Sequence, residues 1–527
     1  MHPSMSPLGP SRPSRSSRRA RLVAVCVAVA LAGSSLTAAA GVSAAPPAAA
    51  GPSPAGSGKE VLRERTLPLD TAPFRGLCSA APFGQPREHS FDFFDDVRVT
   101  AVEDGLDSEE GTVTWSGHVK GAPEHSVVLS MRGLCTAGPG ADAALEAVAD
   151  LGTRVYRMET MPGRPARVRI TEEDPSHREP HAPDDDVMTP APASRLRKSL
   201  EGRAPATAAA PVVIDVIAGY TRQAVTQAGG VQQVVDTIRW SERKMNEALA
   251  DSGVPASIDI IGTYDTGYGG DNTSSTMFKK LSDPRDPELG ANAAGLRDRY
   301  GADLITVVNR VAPGQSSGQG SLPTSGRFSP SDAFSVVDIR SMTDWYNLGH
   351  EIGHNLGLFH DRTTLNQQGP GGSWQRLLNA PFATGWVTPR HNFHTLMAYP
   401  SACGMPCTAV NQYSNTENSI SGQPLGDANN NNAAMARLSA PVLAGYRNLT
   451  FARTRYPLTL DSTAGGSARP AVYGPYAPGT VVAVTAYPQA GYRHAGWIYD
   501  GVQYTLGGQV NVTMNSAHKL TAVFVRS

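Results

Sequence analysis

The alternation of hydrophobic and polar residues first separates a β-rich segment near the start of the chain. Runs such as GTVTWSGHV, HSVVLSM and ARVRIT are rich in β-branched residues and are separated by Gly, Pro and acidic turns. Such short runs between turn residues are typical of strands. We therefore predict a β-rich domain over residues 61–175.

From residue 212 onward, runs with the period of strands alternate with runs with the period of helices. VVIDVIAGY and ASIDIIGTY are predicted to be buried strands, and VQQVVDTIRWSERKMNEALADSG between them has apolar residues at helical spacing. A helix over residues 292–300 and the strands ADLITVVN and DAFSVVD follow. This order predicts an α/β domain with a largely parallel, twisted sheet over residues 212–450.

The last part of the chain, residues 451–527, contains short strand-like runs only. YPLTL, GTVVAVTAYP, GYRHAGWIYDG, QVNVTM and KLTAVFV follow one another at regular spacing. The pattern predicts a small all-β module.

The N-terminus has the features of a secretory signal peptide. Basic residues precede an apolar run from Leu22 to Leu31, and small residues lead to a cleavage point after Ala44. The run is too short to span a bilayer, so we predict a signal peptide over residues 1–44 and a secreted, extracellular protein rather than one kept on a membrane anchor. Residues 45–60, which are Ala, Pro, Gly and Ser with a few charged residues at the end, are predicted to be a disordered spacer.

Residues 176–211 have little that could form a core, and they are predicted to be a linker. The basic stretch SRLRKS, Ser194–Ser199, lies within it. An exposed basic segment is readily cut by proteases, so we predict a processing site there; a plain tether is the alternative.

Composition narrows the classes of partner. Of 527 residues, 40% are hydrophobic and 18% are charged, which suits a soluble protein of several domains. The formal net charge of -1 gives no electrostatic reason to expect binding to nucleic acid or to a membrane.

Cysteine usage agrees with secretion. Of the five cysteines, Cys26 lies in the predicted signal peptide. The other four permit three pairings, and local pairing predicts the disulfides Cys78–Cys135 and Cys403–Cys407.

The segment HEIGHNLGLFHD, residues 350–361, carries the candidate chemistry. His350 and His354 are four residues apart, so they share one face of a helix and can bind one Zn²⁺. Gly357 permits a left-handed turn that returns His360 as a third ligand. Three ligands leave one position for water, and Glu351 is placed to act as its general base.

These residues resemble the HExxHxxGxxH signature of the metzincin metalloproteases. Asp361 after the third histidine resembles the reprolysin (adamalysin) family, including its secreted bacterial members. In FHTLMAYP, Met397 occupies the position of the metzincin Met-turn. The resemblance, which covers about residues 212–447, implies a zinc endopeptidase of metzincin α+β fold with a twisted mixed sheet, acting on protein or peptide substrates.

The resemblance also implies supporting roles. Met397 would be a hydrophobic floor beneath the ligands, and Asp361 a structural support. Tyr399 matches a tyrosine that reaches the zinc in astacins and serralysins, and either that role or a packed core position is open. The strand before the active-site helix pairs with substrate in metzincins, which predicts that role for DAFSVVD. His391 and His394 are predicted to be loop residues.

The flanking segments complete the expected organisation. A β-rich domain before a cuttable linker suggests a propeptide that keeps the enzyme latent. A cysteine switch through Cys78 or Cys135 is an alternative to their mutual disulfide. The C-terminal module resembles the bacterial repeat module related to internalin B-repeats, through Gly479, Gly491, Trp497 and the ending TAVF. Such a module could contact a cell surface or substrate, or could serve as a spacer.

Two alternatives to a secreted protease stay open. The chain could be a secreted binding protein in which the metzincin-like domain is a scaffold, or a zinc hydrolase of non-peptide substrates. The intact ligand set and Glu351 favour the protease.

Overall fold

The structure, a computed structural model, describes only part of the chain. The described residues are 61–79, 83–84, 86–109, 112–135, 143–161, 167–174, 186–188, 211–311, 315–344, 346–368, 372–404 and 407–527. The predicted signal peptide, the spacer and the basic stretch Ser194–Ser199 lie outside them. Within the described ranges, no helix has both the length and the apolar character needed to cross a membrane.

The N-terminal β domain, residues 61–174, is built on one antiparallel sheet. Its strands are β1 (Val61–Pro68), β2 (Glu88–Phe94), β3 (Val97–Glu109), β4 (Thr112–Val119), β5 (Ala122–Arg132), β6 (Ala144–Asp150), β7 (Val155–Met161) and β8 (Arg167–Glu173). They pair in the order β1-β8-β7-β6-β5-β4-β3-β2. Alternate residues point inward, and Phe91, Phe93 and Trp115 are fully buried on the core face. The predicted disulfide Cys78–Cys135 is present.

The central domain, residues 211–450, contains a mixed sheet with helices packed against it. The strands of this sheet are β9 (Asp186–Met188), β10 (Val212–Tyr220), β11 (Ala256–Asp265), β12 (Leu304–Asn309), β13 (Gly318–Leu322) and β14 (Phe334–Asp338). The strand order is β11-β10-β12-β14-β13-β9. The strands β11, β10, β12 and β14 run parallel, whereas β13 is antiparallel to β14.

The strand order shows that the predicted substrate-binding strand was assigned wrongly. DAFSVVD forms β14, which pairs with β12 on one side and with β13 on the other, so it has no open edge. The outer strand of the domain is β13, whose sequence GQGSL lacks the β-branched residues that mark strands. Its far side is paired in parallel with β9, which comes from the linker segment before the domain.

The helices of the central domain follow the predicted order. They are α1 (Arg222–Ala228), α2 (Val231–Asp251), α3 (Ser274–Ser282), α4 (Gly290–Tyr300), α5 (Ile339–Asp344), α6 (Asn347–Asn355), α7 (Arg362–Gln368) and α8 (Asn432–Leu443). Thr221 caps α1 by accepting a hydrogen bond from the Ala224 N–H. Short strands β15 (Phe393–Thr395), β16 (Thr408–Val410), β17 (Ser419–Ile420) and β18 (Gln423–Pro424) precede α8.

The C-terminal module, residues 451–527, consists of strands, as predicted. They are β19 (Leu458–Ser462), β20 (Gly466–Pro470), β21 (Val481–Pro488), β22 (Tyr492–Tyr499), β23 (Val502–Tyr504), β24 (Gln509–Thr513) and β25 (His518–Arg526). Trp497 is fully buried in its core. The start of β21 also pairs with β3, so the sheet of the N-terminal β domain continues into the module.

Candidate metal centre

Helix α6 holds the first two histidines of the signature, and its C-terminus places the third. All nine residues of the helix are buried. Gly357 adopts φ +78°, and the N–H groups of Gly357 and Leu358 donate to the carbonyls of His354 and Gly353. These bonds form a left-handed helix end that returns the chain towards the helix, as predicted. Three residues later, His360 faces the helix and is fully buried.

The three signature histidines come together. One ring nitrogen from each of His350, His354 and His360 lies within 4.8 Å of the other two. The Nε2 atoms of His350 and His360 are 3.2 Å apart. Two nitrogens bound to one tetrahedral zinc at about 2.0–2.1 Å are separated by about 3.3 Å, so this spacing fits a shared metal ion.

The other ring nitrogens fix the protonation of the cluster. Nδ1 of His350 lies 2.8 Å from the Leu396 carbonyl, and Nδ1 of His354 lies 3.0 Å from the Leu358 carbonyl. Carbonyl oxygens only accept, so both Nδ1 atoms carry hydrogen, and in the neutral ring, the form that binds metal, each Nε2 presents a lone pair. Nδ1 of His360 lies 3.3 Å from Oε1 of Gln368, an oxygen that also only accepts hydrogen bonds. Such outer hydrogen bonds orient metal-binding histidines.

Glu351 is fully buried beside the outer strand of the sheet. A Cβ added at Gly318 would lie 2.2 Å from its Oε1, and one added at Gly320 would lie 2.5 Å from its carbonyl oxygen. Glycine at both positions therefore lets β13 lie directly against α6. Neither Gly318 nor Gly320 was predicted from the sequence, where their alternation in GQGSL is the only signal that could have indicated them.

Met397 lies under the middle of α6 and is fully buried. A Cβ at Gly353 would lie 2.6 Å from its Sδ, so a small residue is needed where the helix crosses the methionine. Its expected role as a floor beneath metal ligands stays a prediction. Tyr413, which sequence analysis did not single out, adds a second anchor because its hydroxyl donates to the Gly349 carbonyl at 2.8 Å.

Asp361 joins the third histidine to the segment that follows Met397. Its Oδ1 accepts from the Thr364 N–H at 2.9 Å, and its Oδ2 accepts from the Thr364 hydroxyl at 2.6 Å. The same Oδ2 accepts from the Tyr399 N–H at 3.2 Å. This geometry fits the structural support that was predicted.

Tyr399 packs against two of the three histidines. Its ring is nearly parallel to that of His350, at 10° and a centroid distance of 5.8 Å, and lies 4.5 Å from the His360 ring. The side chain is 3% exposed. A short helical turn and the predicted disulfide Cys403–Cys407 follow it, which closes the loop beyond the site.

The two remaining candidate histidines lie apart from the cluster. His391 is in a loop, where its Nδ1 faces the Cys403 carbonyl at 3.0 Å. His394 was predicted to be a loop residue, which is wrong, because it lies in β15 and is buried. Burial lowers the pKa of its imidazole.

Comparison with known proteins agrees with this geometry. Residues 210–431 match the family described as metallo-peptidase family M12B reprolysin-like, and residues 456–527 match the divergent InlB B-repeat domain. The chain therefore carries a reprolysin-like metallopeptidase domain and a C-terminal B-repeat domain, as their sequence resemblances predicted. A match to a metallopeptidase family is consistent with a metal ion at the three-histidine cluster.

Several curated relatives carry the name peptidyl-Asp metalloendopeptidase. One from Stenotrophomonas maltophilia (strain K279a) is 28% identical over 233 residues, covering 43% of this chain and 51% of the relative. One from Xanthomonas campestris pv. campestris is 28% identical over 228 residues, covering 43% and 49%. One from Pseudomonas aeruginosa is 27% identical over 281 residues, covering 50% and 44%. The chain thus spans about half the length of these relatives.

Proposed function

We propose that the chain is a secreted zinc metalloendopeptidase made in a latent form. The observation that carries this proposal is that one nitrogen from each of three buried histidines lies within 4.8 Å of the others. Glu351 lies on the helix that holds His350 and His354. The relatives named as metalloendopeptidases support the same activity. Secretion rests on the predicted signal peptide, which suits the two disulfides.

His350, His354 and His360 would hold the zinc ion through Nε2. When bound there, zinc supplies a Lewis acid that polarises the scissile carbonyl and lowers the pKa of a water molecule. Glu351 would take one proton from that water as the water oxygen bonds to the carbonyl carbon. Glu351 would then give the proton to the nitrogen as the C–N bond breaks, which yields a carboxylic acid and an amine; proton transfer between these products gives a carboxylate and an ammonium group.

The edge of β13 is the proposed platform for the substrate. An extended peptide that pairs with this edge lies beside Glu351, because Gly318 and Gly320 bring the strand against α6. Main-chain pairing selects for extended or unfolded segments and leaves side-chain preference to the surrounding pockets. The name of the relatives makes bonds next to Asp the first preference to test.

The strand β9 supports latency. It pairs with Gly320, Ser321 and Leu322, which form the same edge that a substrate would use. Because β9 belongs to the linker before the central domain, the linker would occupy the substrate-binding edge of β13 until it is removed. We therefore propose that residues 61–175 are a propeptide domain.

The N-terminal β domain also contacts the approach to the active-site helix. Arg157 donates to the Thr343 hydroxyl at 3.1 Å in α5, and the Tyr346 hydroxyl at the start of α6 donates to Asp150. Lys244 in α2 donates to the Ser126 hydroxyl at 2.7 Å. The disulfide Cys78–Cys135 engages both cysteines of this domain, so latency would depend on these contacts and on β9 rather than on a cysteine switch.

Casein hydrolysis by the processed protein tests the proposal. We expect activity to disappear on chelation, to return when zinc is restored, and to be absent in Glu351→Ala. The variant should still bind one zinc ion per chain, which separates loss of the base from loss of the metal. Hydrolysis by well-folded Glu351→Ala, or hydrolysis that resists metal removal, would show that the mechanism is wrong.

Specificity needs a separate measurement. Cleavage profiling on a denatured proteome, with Glu351→Ala as the background control, should show whether Asp is enriched on one side of the cut bond. Cuts without such enrichment would leave the peptidase proposal standing and would remove the preference taken from the relatives.

A further inference from the structure

We propose that the C-terminal module is a docking site for the N-terminal β domain and retains it after the linker is cut. This inference rests on the proposed function, because it takes residues 61–175 as the propeptide. It assigns the module a partner within the same chain and a role in the release of the active enzyme.

The first observation is a backbone pairing between the two ends of the chain. Val481 and Val482 in β21 pair antiparallel with Leu106 and Gly105 in β3. Val481 and Val482 are fully buried. The module thereby extends an edge of the N-terminal sheet, which is a common mode of recognition between a sheet and a strand.

The second observation is a buried carboxylate that is shared between the two domains. Glu103 in β3 is 0% exposed. Its Oε2 accepts from Nε of Arg87 at 2.8 Å and from the indole N–H of Trp115 at 2.9 Å, both within its own domain. Its Oε1 accepts from Nδ2 of Asn511 at 3.0 Å, and Asn511 belongs to the module. Loss of the module would leave Oε1 without this donor.

Two further contacts join the same two domains. Nε2 of Gln509 donates to Oδ1 of Asp104 at 2.9 Å. The ring of Phe83 stacks on Tyr499 at a centroid distance of 4.2 Å and an angle of 16°. Polar and aromatic contacts therefore accompany the strand pairing, as in a specific interface.

The third observation is that the pairing lies beside the central domain. A Cβ added at Gly105 would lie 2.2 Å from Nη2 of Arg243, in α2, and 2.9 Å from the Val481 carbonyl. Arg243 also donates to Asp107 at 3.0 Å and to the hydroxyl of Ser116. The N-terminal β domain is thus held by the central domain and by the module at adjoining points of β3.

Two attachments in one molecule act together. After a cut in the linker, contacts with the module keep the N-terminal β domain at high effective concentration near the central domain. A single cut would therefore yield a latent complex rather than free enzyme. Activation would need a further step that separates β3 from β21 or degrades the N-terminal β domain.

Retention can be measured in the full chain without relying on peptidase activity. In a Glu351→Ala background, Ser194–Ser199 is replaced by the recognition sequence of a site-specific protease. The chain is cut, diluted and followed by size-exclusion chromatography and by the rate at which a fluorescently labelled N-terminal fragment dissociates. The double variant Asn511→Ala with Gln509→Ala removes the two amide donors. The variant Asn511→Asp places a second carboxylate opposite Glu103 with little change in side-chain size. Gln489→Ala removes an exposed amide elsewhere on the module and serves as the matched control.

We expect the cut protein with an unaltered module to keep its N-terminal fragment, as should the Gln489→Ala control. The double variant and Asn511→Asp should each release it roughly ten- to a hundred-fold faster, the range expected when a buried acceptor loses its donor. Equal retention in all proteins, or rapid release from the unaltered module, would overturn the inference. Thermal unfolding of each cut protein shows that the module is folded.

The same samples with Glu351 restored distinguish this inference from the proposed function. Faster release of the N-terminal fragment in Asn511→Asp, without casein hydrolysis, would contradict the peptidase proposal alone. Hydrolysis by the released enzyme, together with unchanged retention in Asn511→Asp, would sink the docking inference alone.

Discussion

Gly318 faces the carboxylate of Glu351 so closely that an added Cβ would lie 2.2 Å from Oε1. The Glu351 side chain is fully buried, so it cannot relieve this contact by moving into solvent. The strand proposed to bind substrate and the residue proposed to activate water are therefore positioned by each other.

Gly318→Ala should lower kcat by about 100-fold, because a shift of the general base by about 1 Å is enough for such a loss. Steady-state kinetics on a fluorogenic peptide would measure it. Gly262→Ala is the matched control, since Gly262 also lies in a strand of this sheet and has no atom within 4 Å of an added Cβ. Equal activity in the two variants would contradict the proposed coupling of strand and base.

Asp361→Ala should destabilise the central domain by about 3 kcal/mol, because it leaves buried donors of Thr364 and Tyr399 without an acceptor. Denaturant unfolding would measure the change in free energy. Asp271→Ala offers a control of the same chemistry at an exposed site, where Asp271 accepts from the Thr273 N–H at 2.9 Å and from the Thr276 hydroxyl at 3.1 Å. A comparable loss in both variants would show that burial is not the cause.

Tyr399→Phe should keep metal affinity close to the unaltered value, whereas Tyr399→Ala should weaken it about 10- to 100-fold, in the range typical of residues that orient metal ligands. The reason is that the ring, which both Tyr and Phe provide, packs against His350 and His360. Competition with a zinc-sensitive dye would measure affinity. A loss of kcat in Tyr399→Phe with metal affinity retained would instead assign the hydroxyl to the reaction.

The free energy of unfolding should depend on pH through the titration of Asp215. Burial, and then repulsion from Asp259 and Asp303, raise its pKa to about 7. The folded state therefore holds this proton more tightly than the unfolded state, and the stability that Asp215 contributes falls as pH rises from about 4 towards 7.

Asp215→Asn removes that titration. Its melting temperature should equal that of the unaltered protein near pH 4 and exceed it by about 2 °C above pH 7. Differential scanning calorimetry at pH 4, 5.5 and 7.5 would test this. An advantage that is largest at pH 4 would have the wrong sign and would contradict the raised pKa.

The local parts of the site could be predicted from sequence because helical spacing dictates them. The spacing of His350 and His354, the turn at Gly357 and the return of His360 depend on bonds between residues a few positions apart. Met397 was found through its motif, and the local disulfide Cys403–Cys407 through proximity. The long helix α2 ends at Asp251, two residues before the end of the run that was predicted to be helical.

The features that were missed depend on pairing between distant segments. The strand β13 has no hydrophobic alternation, because its two glycines serve contact with α6 rather than a core. Its pairing with β9 and the pairing of β3 with β21 join segments more than a hundred residues apart, for which the sequence contains no local signal. The edge strand was assigned to DAFSVVD because that run directly precedes the active-site helix, and only the register of β12, β14 and β13 shows that it is enclosed.

The hydrogen bond from Asn511 to Glu103 joins two residues that are 408 positions apart along the chain. A ribosome makes Glu103 408 residues before Asn511, so this contact cannot form while the intervening residues are being synthesised. Chains that are truncated near the C-terminus would lack the contact. The N-terminal β domain can therefore complete its interface with the C-terminal module only after residues 509–511 have been synthesised.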